Sequence, residues 1–170
     1  MRKETSPLGA LALGLGAGVV GTAFMTAWQE TAARLRRSMR PKHMEEGDPW
    51  KHAPAPAQVG RRVVQVATGR DVPPERIPLF TNAVHWAFGT TMGGIYGLAR
   101  SRVRGTAVLQ GPLFGLGVWA QSYAALVPMG LYEPPWRYSG KTIAKDISYH
   151  LVYGAGTAAG YEALRRIARP

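Results

Sequence analysis

The chain of 170 residues contains no cysteine, which excludes disulfides, thiolate metal sites and cysteine nucleophiles. It is also poor in acidic residues, with 10 Asp and Glu against 21 Lys and Arg, so its formal net charge is +11. The sequence has no Walker A, H-E-x-x-H or G-x-S-x-G pattern. Since these patterns accompany common hydrolytic chemistries, we do not expect an enzyme, and we predict no catalytic residue and no metal ligand.

Charged residues are also missing from four long stretches of the chain. A soluble domain distributes charges over all its exposed faces, whereas a helix that crosses a ~30 Å hydrocarbon core needs about 20 mostly apolar residues. We therefore predict an all-α fold, a four-transmembrane-helix bundle that forms one integral membrane domain over residues 1–170. The charge-free stretches are 5–29, 77–99, 105–132 and 147–161. The spans that we predict from them are 8–28, 79–99, 107–130 and 143–164.

The long linker between the first two predicted spans, residues 31–78, is polar and basic. Its stretch DPWKHAPAPA predicts extended or irregular chain, and Ala57–Thr68 has the apolar spacing of a short amphipathic helix. That helix is compatible with a position in the membrane interface and with a solvent-facing position. Basic residues beside apolar spans meet lipid phosphates. We therefore expect the lipid bilayer and anionic lipid headgroups as partners, and we do not expect nucleic acid.

Small residues recur every four positions within the predicted spans. Such rows let helix backbones approach closely, which is how helices associate in lipid. We expect them to pack the bundle, and their use in a homo-oligomer is left open. A proline late in the third span is expected to kink it or to mark its exit. These packing positions are Gly89, Gly93, Gly97, Gly111, Gly115, Gly154 and Pro128.

A few polar side chains fall inside or beside the predicted spans. An imidazole in the bilayer is costly unless it faces the bundle interior and finds a partner. We favour histidines that fix the packing through interhelical hydrogen bonds, with a proton- or ligand-linked role and a bis-imidazole haem as alternatives. Glu30 is expected to pair with Arg34 one turn later. The candidate residues are His85, His150, Glu30, Asn82 and Asp146. The expected partners of the histidines are Asn82, Thr90, Tyr96, Tyr153 and Thr157.

Three stretches resemble a known family. They are NAVHWAFGTTMGGIYG (82–97), QGPLFGLGVWAQSYAALVPMGLYEPPW (110–136) and YHLVYGAGTAAGYEALRR (149–166). Together they resemble small bacterial inner-membrane proteins of the YagU-like family, a domain of unknown function. The stretch GVVGTAFMTAWQE (18–30) fits the same family more loosely, and the long linker does not match it. The resemblance implies a multi-pass protein of the bacterial inner membrane, and it implies no activity, cofactor or catalytic residue.

The sequence therefore predicts a non-enzymatic component of the membrane or envelope. The alternative is a small homo-oligomeric carrier or channel linked to protons or a solute. A membrane haem protein with His85 and His150 as axial ligands is the remaining interpretation, and otherwise no cofactor is expected.

Overall fold

The computed structural model describes residues 6–37, 48–100 and 106–168. Over these ranges the protein is helical and contains no strand, which confirms the all-α prediction for them. Part of the predicted linker, residues 38–47, lies outside the described residues. The α-helices are α1 (Pro7–Arg37), α2 (Ala55–Thr68), α3 (Ile77–Arg100), α4 (Ala107–Leu126) and α5 (Gly140–Ile167). Short 3₁₀ turns lie at Pro49–His52, Pro74–Arg76 and Pro135–Arg137.

The four long helices cover most of the four predicted spans, but most of them begin or end at other residues than predicted. α1 continues to Arg37, well beyond position 28, and α5 is longer than its predicted span at both ends. α4 ends at Leu126, and Pro128 lies in the turn that follows it. That turn requires a glycine, because Gly130 has a φ of 70°.

Hydropathy supports one membrane span among the described residues. The segment Pro7–Leu35 is 29 residues long and contains an 18-residue window with a mean hydropathy of 1.8, and it is the only described helical segment that is long and apolar enough. The core helix of a soluble protein and a signal sequence pass the same test, so one such helix is weak evidence. The described protein is therefore helical with one candidate membrane span, and the four-span bundle remains a prediction.

α1 lies at the centre of the helix arrangement. It packs antiparallel between α3 on one side and α5 on the other, while α4 packs against α5 and α2 packs against α3. The predicted glycine rows lie at two of these crossings. On α3, Gly93 lies against the backbone of Gly18 of α1, and on α5, Gly154 lies against the backbone of Gly111 of α4. A Cβ at either position would overlap the facing backbone, so the close approach depends on glycine.

The helix pair α1 and α3 resembles the helix pair α4 and α5. Five positions of α3 match positions of α5 that lie 65 residues later, with the same residue or a similar one. In both helix pairs the histidine lies one turn before a glycine at the helix crossing. The resemblance does not extend to the contacts between the two helix pairs. α1 packs closely on α5, whereas the backbones of the equivalent helices, α4 and α3, stay apart in the described chain. The matching pairs are His85 and His150, Phe88 and Tyr153, Gly89 and Gly154, Tyr96 and Tyr161, and Arg100 and Arg165.

The described part of the linker is folded, which corrects the expectation of irregular chain for DPWKHAPAPA. Proline stands at the first turn of the 3₁₀ segment and of α2, where its missing N–H costs no hydrogen bond. Trp50 is buried, and its Nε1 donates to the carbonyl oxygen of Val72 at 3.1 Å. Arg62 Nη1 donates to the carbonyl oxygen of Met129 at 2.8 Å. The linker is thereby tied to the turn after α4.

Candidate functional site: the cavity between α3 and α4

A cavity of about 850 Å³ lies where α3 and α4 stay apart. Four long helices and residues of both adjoining linkers line it, in the half of the bundle where α1 and α4 end and α3 and α5 begin. In the other half, aromatic rings fill the space between the helices. The ring centroids are 5.0 Å apart for Tyr96 and Phe114, 5.8 Å for Tyr96 and Tyr161, and 6.1 Å for Phe114 and Tyr153.

Most of the candidate polar residues line this cavity. His85, Asn82, Asp146 and His150 all contribute to its wall, from α3 and α5. Glu30 does not line it, and its largely exposed carboxylate lies 3.7 Å from Arg34. The fold therefore brings together four of the five candidates, which are up to 68 positions apart in the chain.

The two histidines have partners other than those expected. His85 Nε2 lies 3.5 Å from the hydroxyl of Thr26 on α1. His150 Nδ1 lies 2.9 Å from the carbonyl oxygen of Asp146, one turn earlier on its own helix. Since a carbonyl only accepts, we assign the hydrogen to Nδ1, which leaves Nε2 of the neutral ring as an acceptor. The expected partner Tyr153 instead donates to the carbonyl oxygen of Gly89, at 2.7 Å.

Asp146 connects α5 to α4. One carboxylate oxygen, Oδ2, accepts from Trp119 Nε1 at 3.0 Å and from the Tyr123 hydroxyl at 3.1 Å. The other, Oδ1, lies 3.8 Å from His150 Nδ1. Trp119 and Tyr123 are four positions apart, so α4 presents both donors from one face. Sequence reasoning missed these donors, although their spacing on a charge-free helix was a usable signal.

Tyrosine rings surround this connection. The Tyr123 ring centroid lies 5.2 Å from that of Trp119, 5.1 Å from that of Tyr132 and 6.2 Å from that of Tyr138. Burial, together with the negative charge of Asp146, raises the pKa of Tyr132 to about 12. We call these five residues the Asp146 cluster: Asp146, Trp119, Tyr123, Tyr132 and Tyr138.

The lining residues do not form a metal site of ordinary type. Among the described residues, no group of three or more His, Cys, Asp or Glu side chains lies close enough to hold a metal ion. A bis-imidazole haem would use a ring nitrogen of each histidine, and His85 Nε2 is in contact with Thr26. The haem interpretation stays a prediction.

No family model, curated protein or solved structure matches this chain. The resemblance to the YagU-like family therefore stays a prediction as well.

Proposed function

We propose that the protein is a non-enzymatic, multi-pass protein of the bacterial inner membrane that binds a small solute in the cavity between α3 and α4, as a solute-linked carrier does. The observation that carries this proposal is the cavity itself, because it gathers His85, Asn82, Asp146 and His150 from distant parts of the sequence. Four helices are few for a complete transport path, so a homo-oligomer is part of the proposal.

The distribution of side chains supports a membrane position for all four long helices. Soluble domains bury Leu, Ile, Val and Phe preferentially. Here the buried residues of the long helices are mainly Gly, Ala, Thr and Tyr, with Val118 and Met25 as the exceptions, and Thr22 and Thr157 are completely buried. Large apolar side chains of α1, α3 and α4 face outward instead. Helices in lipid pack through small residues, and their outer faces meet acyl chains. The outward-facing side chains include Phe24, Leu79, Ile95, Val108 and Leu113.

The shape of the cavity supports solute binding. Ligand sites have volumes of roughly 300–1,000 Å³, with mainly apolar walls and a few convergent polar groups. The cavity falls within this range, and its polar groups come from several helices. Aromatic rings occupy the other half of the bundle, so the cavity is confined to the half where the two linkers lie. We propose that solutes reach the cavity from that half, as they reach the binding site of an alternating-access carrier in one of its states.

The absence of cysteine permits a direct test by single-cysteine accessibility. Three variants in liposomes are treated with charged, membrane-impermeant methanethiosulfonates: Ser122→Cys in the cavity wall, Leu113→Cys on the outer face of α4, and Thr157→Cys in the buried interior. We expect Ser122→Cys to react, because water and solutes enter the cavity. We expect Leu113→Cys to stay unmodified because lipid covers it, and Thr157→Cys to stay unmodified because protein does.

Two results would contradict the proposal, and each contradicts a different part. Rapid reaction of Leu113→Cys would show that water covers the outer face, against a bundle that crosses the membrane. An unreactive Ser122→Cys would show that the cavity does not admit solutes. Denaturing the same samples in dodecyl sulfate should make all three thiols reactive, which checks that each cysteine is free.

A further inference from the structure

We infer that the solute bound in this cavity is an organic cation, held by the Asp146 cluster. The carboxylate supplies the opposite charge, and the aromatic rings supply polarisable surface for the apolar part of the ligand. This inference rests on the proposed function, since it presupposes that the cavity admits a solute.

The position of the carboxylate is the first argument. Asp146 lines the cavity and its side chain is only 21% exposed. Among the described residues no lysine or arginine lies within ion-pair distance of it, and the one basic side chain near its carboxylate is His150, at 3.8 Å. Its hydrogen-bond donors, Trp119 and Tyr123, are neutral. The other acidic side chains that form ion pairs in the described chain are paired with arginines, as Glu162 is with Arg100 and Arg165. A half-buried carboxylate without such a partner attracts a cationic ligand.

The rings around Asp146 are the second argument. A cation over the face of Trp or Tyr is attracted by the ring quadrupole, and aromatic cages with a nearby carboxylate bind quaternary ammonium groups. Tyr123, Tyr132 and Tyr138 line the cavity and form one group of rings, with the Tyr123 centroid 5.1 Å and 6.2 Å from the other two. Two donors on α4 hold the carboxylate in place, so the charge is fixed beside the rings.

Two lysines also line the cavity, and their positive charge allows cation binding to be distinguished from anion binding. Lys51 lies on the exposed linker, and Lys145 precedes Asp146 on α5. A cationic ligand is repelled by Lys145 and attracted by Asp146, whereas an anionic ligand experiences the opposite forces. Neutralising the two residues one at a time must therefore change cation and anion binding in opposite directions.

The experiment uses Ser122→Cys in liposomes and compares two methanethiosulfonates, one carrying trimethylammonium and the other sulfonate. The ratio of the cationic to the anionic reaction rate in the folded protein is divided by the same ratio for the variant unfolded in dodecyl sulfate. This division cancels the difference in intrinsic reactivity between the two reagents. We expect the folded protein to favour the cationic reagent about tenfold. Asp146→Asn should abolish this preference and Lys145→Gln should increase it. Glu30→Gln, which removes a carboxylate outside the cavity, is the matched control and should leave it unchanged.

A second measurement uses tetraphenylphosphonium and tetraphenylborate, ions of the same shape and opposite charge. Tetraphenylphosphonium should slow modification of Ser122→Cys by an uncharged methanethiosulfonate, and tetraphenylborate should not. Tyr132→Phe should retain this protection because the ring remains, while Tyr132→Leu should weaken it severalfold.

The outcomes separate the inference from the function on which it rests. If Ser122→Cys reacts but favours the sulfonate reagent, or if Asp146→Asn leaves the preference unchanged, the cavity admits solutes and the organic-cation inference is wrong. Protection by tetraphenylborate alone would also overturn the inference. If Ser122→Cys reacts with neither charged reagent in the folded protein, the proposed function itself fails.

Discussion

At the scale of single residues, the carboxylates of this chain differ in their surroundings. Glu30 lies on the surface near Arg34, and Asp71 accepts from Arg61 at 2.7 Å. Asp146 instead accepts from two neutral aromatic donors on another helix. Removing an acceptor that serves buried donors costs more than the bonds contribute, because each donor then loses hydration without compensation.

We therefore expect Asp146→Ala to lower the free energy of unfolding by about 2–4 kcal/mol, since Trp119 Nε1 and the Tyr123 hydroxyl would both lose their acceptor. Asp146→Asn keeps an amide oxygen that accepts both bonds and should cost about 1 kcal/mol or less. Denaturation of the purified protein in mild detergent measures both changes. Glu30→Ala is the control and should change little. Equal losses for Ala and Asn would mean that the charge matters for stability and the two bonds do not.

The sequence indicated which polar residues deserve interest but not their partners. His85, His150 and Asp146 stand out because charge and imidazole are rare within apolar stretches. The partners Thr26, Trp119 and Tyr123 lie on other helices. Which side chains meet across a helix pair depends on the rotation and offset of both helices, and these are set by packing over their whole length.

At the scale of helices, glycine decides which pairs pack closely. α1 approaches α3 through Gly14, Gly18 and Gly93, and it approaches α5 through Gly21 and Gly156. Between α3 and α4, Phe114 and Tyr96 bring their rings together instead, and the backbones stay apart. The cavity therefore exists because bulky side chains, and not glycines, lie at the contact between α3 and α4.

Two glycine substitutions should have opposite effects on stability. A Cβ at Gly93 would overlap the backbone of Gly18, which cannot move aside without separating the helices. We expect Gly93→Ala to lower the free energy of unfolding by about 3 kcal/mol. Gly117, on α4, has no atom within 4 Å of its added Cβ. Gly117→Ala should raise stability by up to about 1 kcal/mol, because alanine favours helix over glycine.

Unfolding transitions of the two variants, recorded in the same detergent, test this contrast. Equal effects of the two substitutions would show that the close contact of α1 with α3 does not limit stability.

The folded part of the linker should loosen in acid. The hydrogen bonds from Arg61 hold the pKa of Asp71 well below its usual range. A lowered pKa in the folded state means that the stabilisation is present above the unfolded-state pKa, near 4, and is lost as the pH falls below it. We expect hydrogen exchange in Ala55–Thr68, corrected for intrinsic rates, to accelerate below pH 4. In Asp71→Asn, exchange at pH 7 should already be faster than in the unmodified protein, by severalfold at most because the pair is exposed, and should change little in acid. Protection that does not depend on pH in the unmodified protein would contradict this assignment.

At the scale of the whole molecule, the antiparallel crossings fix where the linkers lie relative to one another. α1 runs antiparallel to α3 and α5, and α4 runs antiparallel to α5, so the linker before α3 and the linker before α5 lie at the same end. The start of α4 lies at the other end. The cavity lies at the end of the two linkers, and its lining includes residues of both.

If the four helices cross the membrane as proposed, single cysteines at these ends should label from opposite sides. We expect Lys51→Cys and Arg137→Cys to react from one side of oriented membrane vesicles, and Thr106→Cys to react only from the other. Inverted vesicles should reverse the pattern for all three. Labelling of all three from the same side would exclude a bundle in which each long helix crosses once.

The sequence by itself determined that the chain is helical, where its long helices lie, and which of its few polar residues occur among apolar ones. Charge-free stretches and the four-residue spacing of glycine carry this information, because both are local properties of a helix. Only the tertiary structure decided that α3 and α4 separate, that Asp146 bonds to Trp119 and Tyr123, and that the linker folds around Trp50. These features depend on how distant segments meet, and that is fixed by side-chain volumes at every crossing together, which no local pattern records.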